Sequence, residues 1–461
     1  MHVTRNLFVD REVEIEALMR AWKNRPGLVI VYGRRRIGKT RLIVEWLKRL
    51  EDSPKIYYQA IPAKHEVNLS GIAQVAEEVL GISELGAARF RRIDVLLKLI
   101  SSIVDDVVVV IDEFTQWVKA EPRVSGEIQY FVDHHLPSTG MLLVLTGSAV
   151  GVMHRDVLGG SSPLFGRATA VLRVRELELR HLSNFHPGFG DVNLFLTYVL
   201  FGGVPHYHAL TSEIPSLEGI LWETYFSPTA PLRDEPVTLL REEFREVGTY
   251  YSILKAIATG YDTPSKISDV TGIHRQHVSK YLATLELVGL VKREVPLLSK
   301  KGRYVIGDNA LMAWFTVAEP ILAKNPYPER SSAVREALNR LNALAPRVYE
   351  DVGKTYLVAW GVRKGVVFDE VGRFIHKGTE IDAVAVSRKA RETHVAEVKW
   401  SDMSETDAQR ITDDLLSKAA ELPRRLRPGR IVPHIIVRKY LGQEPPGGAV
   451  VHELQDVIRA V

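Results

Sequence analysis

At 461 residues, 46% hydrophobic and 25% charged, the chain is globular in composition and too long for one ordinary core, so roughly two to four domains are expected. Zero cysteines exclude disulfides, thiolate zinc sites and cysteine catalysis; the absence of an apolar run of about eighteen residues excludes a visible helical membrane span, and Met1–Asn6 lacks the apolar stretch of a leader, so the chain reads as cytoplasmic. The net charge is only +4, but Tyr250 to Asp308 holds nine Lys or Arg against five Asp or Glu, an excess of four that points to an anionic partner for that segment.

Residues 1–25 read as a helix entered through Phe8-Val9-Asp10-Arg11-Glu12. Leu28–Tyr32 follows as a buried strand, and Thr40 to Leu50 as a helix with Leu42, Ile43, Trp46, Leu47 and Leu50 on one face. Between them stands Gly33-Arg34-Arg35-Arg36-Ile37-Gly38-Lys39-Thr40-Arg41, which fits the phosphate-loop pattern G-x-x-x-x-G-K-[ST] and sits between strand and helix, where that pattern functions. Gly33 and Gly38 let the loop curl so that backbone N–H groups and the helix N-terminus face phosphate oxygens. Lys39 is expected to neutralise the β and γ phosphates of ATP and Thr40 to ligate Mg²⁺, with Arg41 beside them.

Lys55–Tyr58, Val107–Ile111, Met141–Thr146 and Ala168–Leu172 are further strand candidates among helical stretches, the alternation of a parallel sheet. Val107–Ile111 ends in Asp112-Glu113: Asp112 is placed to hold the metal's water shell, Glu113 to polarise an attacking water. Thr146 and Ser148, after the next strand, are candidates to sense the γ-phosphate, Ser148 equally a helix cap. Arg167 is a candidate arginine finger, acting within the chain or on a neighbour.

These motifs, in the order Phe8-x-x-Arg11-Glu12, phosphate loop, Asp112-Glu113, Thr146-Gly147-Ser148, Phe165-Gly166-Arg167 and Gly202-Gly203-Val204-Pro205, resemble the archaeal AAA-type ATPases allied to the signal-transduction NTPases (STAND-like). The resemblance covers roughly the first half of the chain. It implies an ATPase with Phe8 and Arg11 near the adenine, and Pro205 closing the nucleotide site from a helical lid. The triple arginine Arg34-Arg35-Arg36 departs from the pattern.

Thr263-Pro264 is a helix start, Thr271-Gly272-Ile273 a tight turn, and His274 to Val288 a second helix with Val278, Tyr281, Leu282, Leu285 and Val288 inward: helix-turn-helix spacing. Leu290–Val295 and Arg303–Ile306 read as a hairpin, or wing. His274, Arg275, Gln276, Ser279 and Lys280 are placed to enter a DNA major groove, and Lys300, Lys301 and Arg303 to meet phosphates; a protein-binding winged helix is the other reading. The segment also resembles the winged helix that follows the ATPase in the same family.

Further on, Asp382 and Glu397 fall on neighbouring strands of an expected hairpin, with Lys399 on the same face as Glu397. Two carboxylates beside an ammonium suit phosphodiester cleavage assisted by Mg²⁺ or Mn²⁺, with Glu350, on a helix read from Pro346 to Trp360, as a further ligand. The spacing resembles the PD-(D/E)xK, restriction-endonuclease-like fold over about the last 115 residues, with Ile381-Asp382 in place of Pro-Asp. A fold retained for binding alone is the rival reading. The basic cluster Pro423 to Arg430 reads as a solvated loop or a phosphate contact.

The expected class is therefore α/β: a P-loop parallel-sheet ATPase core at 1–178, a helical lid at 179–245, a winged helix-turn-helix at 246–318, a linker and helix at 319–345, and an α/β nuclease-like domain at 346–461. The expected activity is ATP hydrolysis coupled to DNA processing, or an ATP-driven regulatory switch on DNA or a protein with a silent nuclease fold. Expected partners are ATP or ADP, DNA and a protein partner, with self-association open and no membrane.

Overall fold

The structure, a computed structural model, describes residues 7–51, 53–160 and 162–461. It divides into two units, one of Phe8–Leu177 with Val204–His206, the other centred on Glu178–Gly203 and Tyr207–Val461. The first six residues of the expected N-terminal helix lie outside the described residues, and the helix runs Glu12–Lys23.

In the first unit, β1 (Gly27–Tyr32), β2 (Lys55–Gln59), β3 (Asp106–Asp112), β4 (Gly140–Gly147) and β5 (Ala170–Arg173) form one sheet in the order β2-β3-β4-β1-β5, every neighbouring pair parallel. The run of valines in β3 explains why it lies inside the sheet. Val107, Val109 and Ile111 enter the core on one face, and Val108 and Val110 the core on the other. With both faces covered, a continuous apolar run replaces the usual alternation. The helices Glu12–Lys23 and Lys39–Leu47 supply Ile15, Leu18, Leu42, Ile43 and Trp46 to one face; His65–Leu80, Ile93–Ile103 and Arg123–His134 cover the other.

The second unit begins with short helices. Val247–Ala258, Pro264–Thr271 and Arg275–Leu287 follow, then the antiparallel pair β6 (Val291–Glu294) and β7 (Arg303–Ile306): three helices and a hairpin. Thr263 caps the middle helix by accepting from the Lys266 N–H at 3.5 Å, Pro264 takes the first turn, and Gly272 makes the turn at φ 70°. Ile267, Val278, Leu282 and Leu285 are buried between the helices, while Tyr281 is only partly so and donates to Glu246. Past β6, Leu297 reaches across to β8 (Glu370–His376): its N–H donates to the Arg373 carbonyl at 2.7 Å and its side chain packs on the C-terminal core.

Beyond β8 come β9 (Thr379–Ser387), β10 (Glu392–Met403), β11 (Arg430–Tyr440) and β12 (Val450–Glu453), in the order β12-β11-β10-β9-β8. β8, β9 and β10 are antiparallel neighbours; β10, β11 and β12 are parallel, with the helix Glu405–Ala420 joining β10 to β11. The expected hairpin of β9 and β10 is present, with Ala383 opposite Ala396.

Two sequence-based boundaries are corrected. No helix starts at Pro346: one helix runs Arg330–Arg363 straight through it. Proline there removes the bond to the Asn342 carbonyl, but both residues are exposed, so water can serve that carbonyl. Glu319-Pro320 is not linker but helix, continuing from Asn309 to Lys324, and the loop is confined to 325–329.

Under the long helix lies a buried chain of imidazoles. His394 on β10, His434 on β11 and His452 on β12 are linked Nδ1···Nε2 at 2.8 and 2.9 Å, with Glu392 3.2 Å from His394 Nε2 at one end and the Tyr356 hydroxyl 2.9 Å from His452 Nδ1 at the other. An ionised carboxylate can only accept, so His394 donates to it from Nε2, and each ring in turn accepts at Nδ1 from the next, back to the tyrosine. All three rings are thereby neutral and of one tautomer. Burial pushes each below the ordinary histidine range, His452 to about 4.

Candidate functional site

The candidate nucleotide site forms where β1, β3 and β4 end. Gly33 follows β1, and its N–H donates to the Gly147 carbonyl at 3.4 Å, joining the loop to the end of β4. A Cβ at Gly33 would stand 2.5 Å from both the Val174 carbonyl oxygen and Ile37 Cδ1, so only glycine fits. Gly38, at φ 88°, turns the chain into the helix Lys39–Leu47. Lys39 is buried and its ammonium donates to the Arg34 carbonyl at 3.1 Å, lying across the loop it belongs to.

Asp112 is the hub. Its carboxylate accepts from the Thr40 hydroxyl at 2.8 Å, from the Tyr57 hydroxyl at 2.6 Å and from the Thr146 hydroxyl. Burial, then the hydrogen bond to Asp112, raises the Tyr57 phenol above its ordinary range and keeps it a donor. Next to it Glu113 has a left-handed backbone at φ 53°, and its carboxylate accepts from the Ser148 hydroxyl at 2.6 Å. A non-glycine residue held in that region is a strained position of the kind found at functional sites. Hydroxyl and carboxylate oxygens from Thr40 and Asp112 form the hard donor set that suits Mg²⁺.

Other expected residues stand around this hub. The Arg11 guanidinium is buried and donates from Nη2 to the Ile37 carbonyl at 3.3 Å and the Arg175 carbonyl at 2.8 Å, so it braces the loop backbone. Phe8 packs on the core cluster that contains Ile37. Arg41 pairs with Glu45 along its own helix at 2.9 Å. Arg34 pairs with Glu176 at 2.8 Å, which accounts for one of the three loop arginines. Pro205 starts a short helix whose next residue, His206, donates its N–H to the Arg36 carbonyl at 3.4 Å. Burial, then Arg36 and Arg35, holds His206 below its ordinary range.

Arg167 is corrected as a group acting on its own chain's nucleotide. It precedes β5 beside the start of β1, where the Thr169 N–H donates to the Leu28 carbonyl, and it pairs with Asp133 at 2.7 Å. A six-residue strand separates that end from the loop, roughly 20 Å at about 3.3 Å per residue.

In the second unit, His274, Arg275, Gln276, Ser279 and Lys280 are all exposed at the start of the helix Arg275–Leu287. Lys300 and Lys301 are exposed in the hairpin loop, while Arg303 donates to Glu294 at 2.9 Å. On the C-terminal sheet, Asp382 accepts from the Val398 N–H at 3.0 Å, and Lys399 pairs with Glu397 at 2.6 Å. Arg373, which carries no motif in the sequence, reaches Glu350 at 3.3 Å, Glu380, and Asp382 at 4.0 Å. Burial, then the neighbouring charge of Asp382, raises the Glu350 carboxyl. Burial opposes the charge on Lys399, but Glu397, Asp382 and Glu350 together raise it above the ordinary range. Among the described residues no three His, Asp or Glu are grouped so as to hold a metal ion, which corrects the expected ligand set of Glu350, Asp382 and Glu397. The residues at this place do not fit a divalent ion, because protein cations and a backbone N–H already engage their oxygens.

Comparison with known proteins agrees with the first unit. Residues 8–206 match the family described as an ATPase domain predominantly from Archaea, and residues 314–411 a family of archaeal and bacterial proteins of unknown function. An uncharacterized protein of Methanocaldococcus jannaschii is 32% identical over 429 residues, covering 90% of this chain and 92% of its own length. An uncharacterized ATP-binding protein of the same organism is 51% identical over 43 residues, 9% of this chain and 73% of that protein. Among solved structures, a Walker-type ATPase of Pyrococcus abyssi is similar at 20% identity and a TM-score of 0.50, covering 68% of this chain and 97% of its own. That likeness is one of fold. The chain therefore belongs to one family with the longer Methanocaldococcus jannaschii relative, and carries the ATP-binding ATPase domain found predominantly in Archaea.

Proposed function

We propose that this protein is an ATP-driven switch that grips DNA through its helix-turn-helix, with the C-terminal sheet serving as a binding arm. The observation that carries the reading is the convergence of Thr40, Tyr57 and Thr146 on Asp112, with Glu113 poised beside it on Ser148. Thr40 and Asp112 are the residues that would hold Mg²⁺, which when bound neutralises charge on the phosphate oxygens. Lys39 would turn from the Arg34 carbonyl to the phosphates. Glu113 would leave Ser148 to orient the attacking water, so the hydroxyl of Ser148 holds the base in reserve until nucleotide is seated. Arg11 keeps the loop in shape throughout.

The DNA half of the reading is supported by the row of exposed polar and basic side chains at the start of Arg275–Leu287 and by the local basic excess. Fluorescence anisotropy with a labelled duplex, with and without ATP, tests it. Arg275→Glu with Lys280→Glu should weaken binding at least about tenfold and lower the salt slope by about two contacts. Unchanged affinity in that variant would remove the helix-turn-helix from the reading.

Asp382 and Glu397 have their oxygens engaged by the Val398 N–H and the Lys399 ammonium, so the C-terminal sheet is read as non-cleaving. Plasmid should survive incubation with the full chain in Mg²⁺ or Mn²⁺. Nicking that disappears in Asp382→Ala would reinstate cleavage.

A further inference from the structure

We propose that Arg373 is the resident cation of the C-terminal acid cluster and decides that the cluster holds a guanidinium in place of a divalent metal ion. The inference rests only on the non-cleaving part of the reading above.

Three features place the guanidinium. The ladder between β8 and β9 shifts register between Gly372 and Phe374, so Arg373 sits at an irregularity that re-aims its side chain. Its carbonyl is pinned by the Leu297 N–H at 2.7 Å, and a Cβ on Gly372 would meet Leu297 at 3.0 Å, so the hairpin loop is pressed against this stretch of strand. Its Nε is buried without a partner. A buried donor left unpaired is costly; here it accompanies a fork turned wholly toward carboxylates, Nη1 to Glu350 at 3.3 Å and Nη2 to Glu380 and Asp382.

The remaining oxygens are engaged too. Asp382 Oδ2 accepts from the Val398 N–H at 3.0 Å, and Glu397 Oε1 is 2.6 Å from the Lys399 ammonium. A metal entering here would have to displace a planar, permanently charged group that already bridges acids from the long helix and β9. Arginine suits this position because its fork spans carboxylates that one ammonium could not bridge. With Arg373 gone, Glu350, Glu380 and Asp382 are left facing one another with one cation fewer, which is the condition for drawing in a dication.

The test is Mn²⁺ binding to the full chain without nucleotide, followed by the electron paramagnetic resonance of free Mn²⁺, with melting curves alongside. Wild type should show no Mn²⁺ site that depends on Asp382. Arg373→Gln should gain one, at least tenfold tighter than anything wild type shows, lost again in Arg373→Gln with Asp382→Asn. Mn²⁺ should raise the melting temperature of Arg373→Gln by more than it raises that of wild type, and the excess should vanish in Arg373→Gln with Asp382→Asn. Should Arg373→Gln fold poorly, Arg373→Lys keeps the charge without the fork, and it should gain weaker but Asp382-dependent binding. An Asp382-dependent Mn²⁺ site in wild type as tight as in the variants overturns the proposal, as does a folded Arg373→Gln that gains none. Either result leaves ATP and DNA binding untouched. Conversely, failure of DNA binding leaves the Mn²⁺ comparison standing.

Discussion

Tyr57 on β2 donates its phenolic hydrogen bond at 2.6 Å to Asp112 on the adjacent β3. The acid at the end of β3 is thus held by hydroxyls from β2, from the phosphate-loop helix through Thr40, and from β4 through Thr146. A carboxylate held by three hydroxyl donors and by the Glu113 N–H keeps its geometry before any nucleotide arrives.

Tyr57→Phe should therefore disturb the site without unfolding it. A hydrogen bond to a charged acceptor contributes about 1.5–3 kcal/mol, and the Thr40 and Thr146 hydroxyls and the Glu113 N–H remain as donors. ATP hydrolysis measured across a Mg²⁺ titration should need several-fold more Mg²⁺ for half-maximal rate, with the melting temperature little changed. An unaltered Mg²⁺ dependence would make Tyr57 a bystander.

Lys39→Ala and Glu113→Gln should separate binding from turnover. Lys39→Ala removes the buried ammonium of the loop, and calorimetry should detect no ATP uptake. Glu113→Gln preserves shape while removing the proposed base, so ATP should still bind while hydrolysis falls about 10²- to 10⁴-fold. Retained turnover in Lys39→Ala would refute the loop assignment.

Arg11→Ala should act on the loop from behind. Its Nη2 bonds to the Ile37 and Arg175 carbonyls are buried or nearly so, and truncation leaves both acceptors unpaired, a loss of about 2–4 kcal/mol in total. Chemical denaturation of the first unit should register that loss, and ATP should weaken the effect by binding the native loop. A variant as stable as wild type would show that the brace is dispensable.

The imidazole chain should make the C-terminal unit acid-sensitive. The folded-state histidines lie below their ordinary range, His452 at about 4, against about 6.5 when unfolded. As pH falls, the unfolded chain takes up protons first, so this stability is complete above about 6.5 and is lost on descending toward 4. For His452 alone the loss is on the order of 3 kcal/mol. Urea melts followed by tryptophan fluorescence at pH 7.5 and 5 should show it, and His452→Gln should flatten the slope. Equal pH dependence in that variant would dismiss the chain as the cause.

Much of the first unit was legible along the chain because its signals are local. Gly33, Gly38 and Lys39 occupy one turn, β3 announces itself by five apolar residues in succession, and Thr263-Pro264 and Gly272 punctuate their helices. Pro346 misled for a physical reason: proline disfavours a helix interior, but an exposed position can supply water to the freed carbonyl, and the apolar face on either side carries the helix through. Glu397 and Lys399 were placed on one face by the strand period alone, and their 2.6 Å pairing agrees.

The amino-acid order by itself determined the phosphate loop, the parallel-sheet strands, the helices Pro264–Thr271 and Arg275–Leu287 and the pairing of β9 with β10, since each depends on neighbours within a few dozen residues. Only tertiary structure decided that Tyr57 meets Asp112, that Arg167 stands at the far end of the sheet, that three histidines join across β10, β11 and β12, and that Arg373 enters the acid cluster. Those relations follow from strand order, register and a bulge. These are set by which apolar faces close on one another across the whole chain, and no short window of sequence contains them.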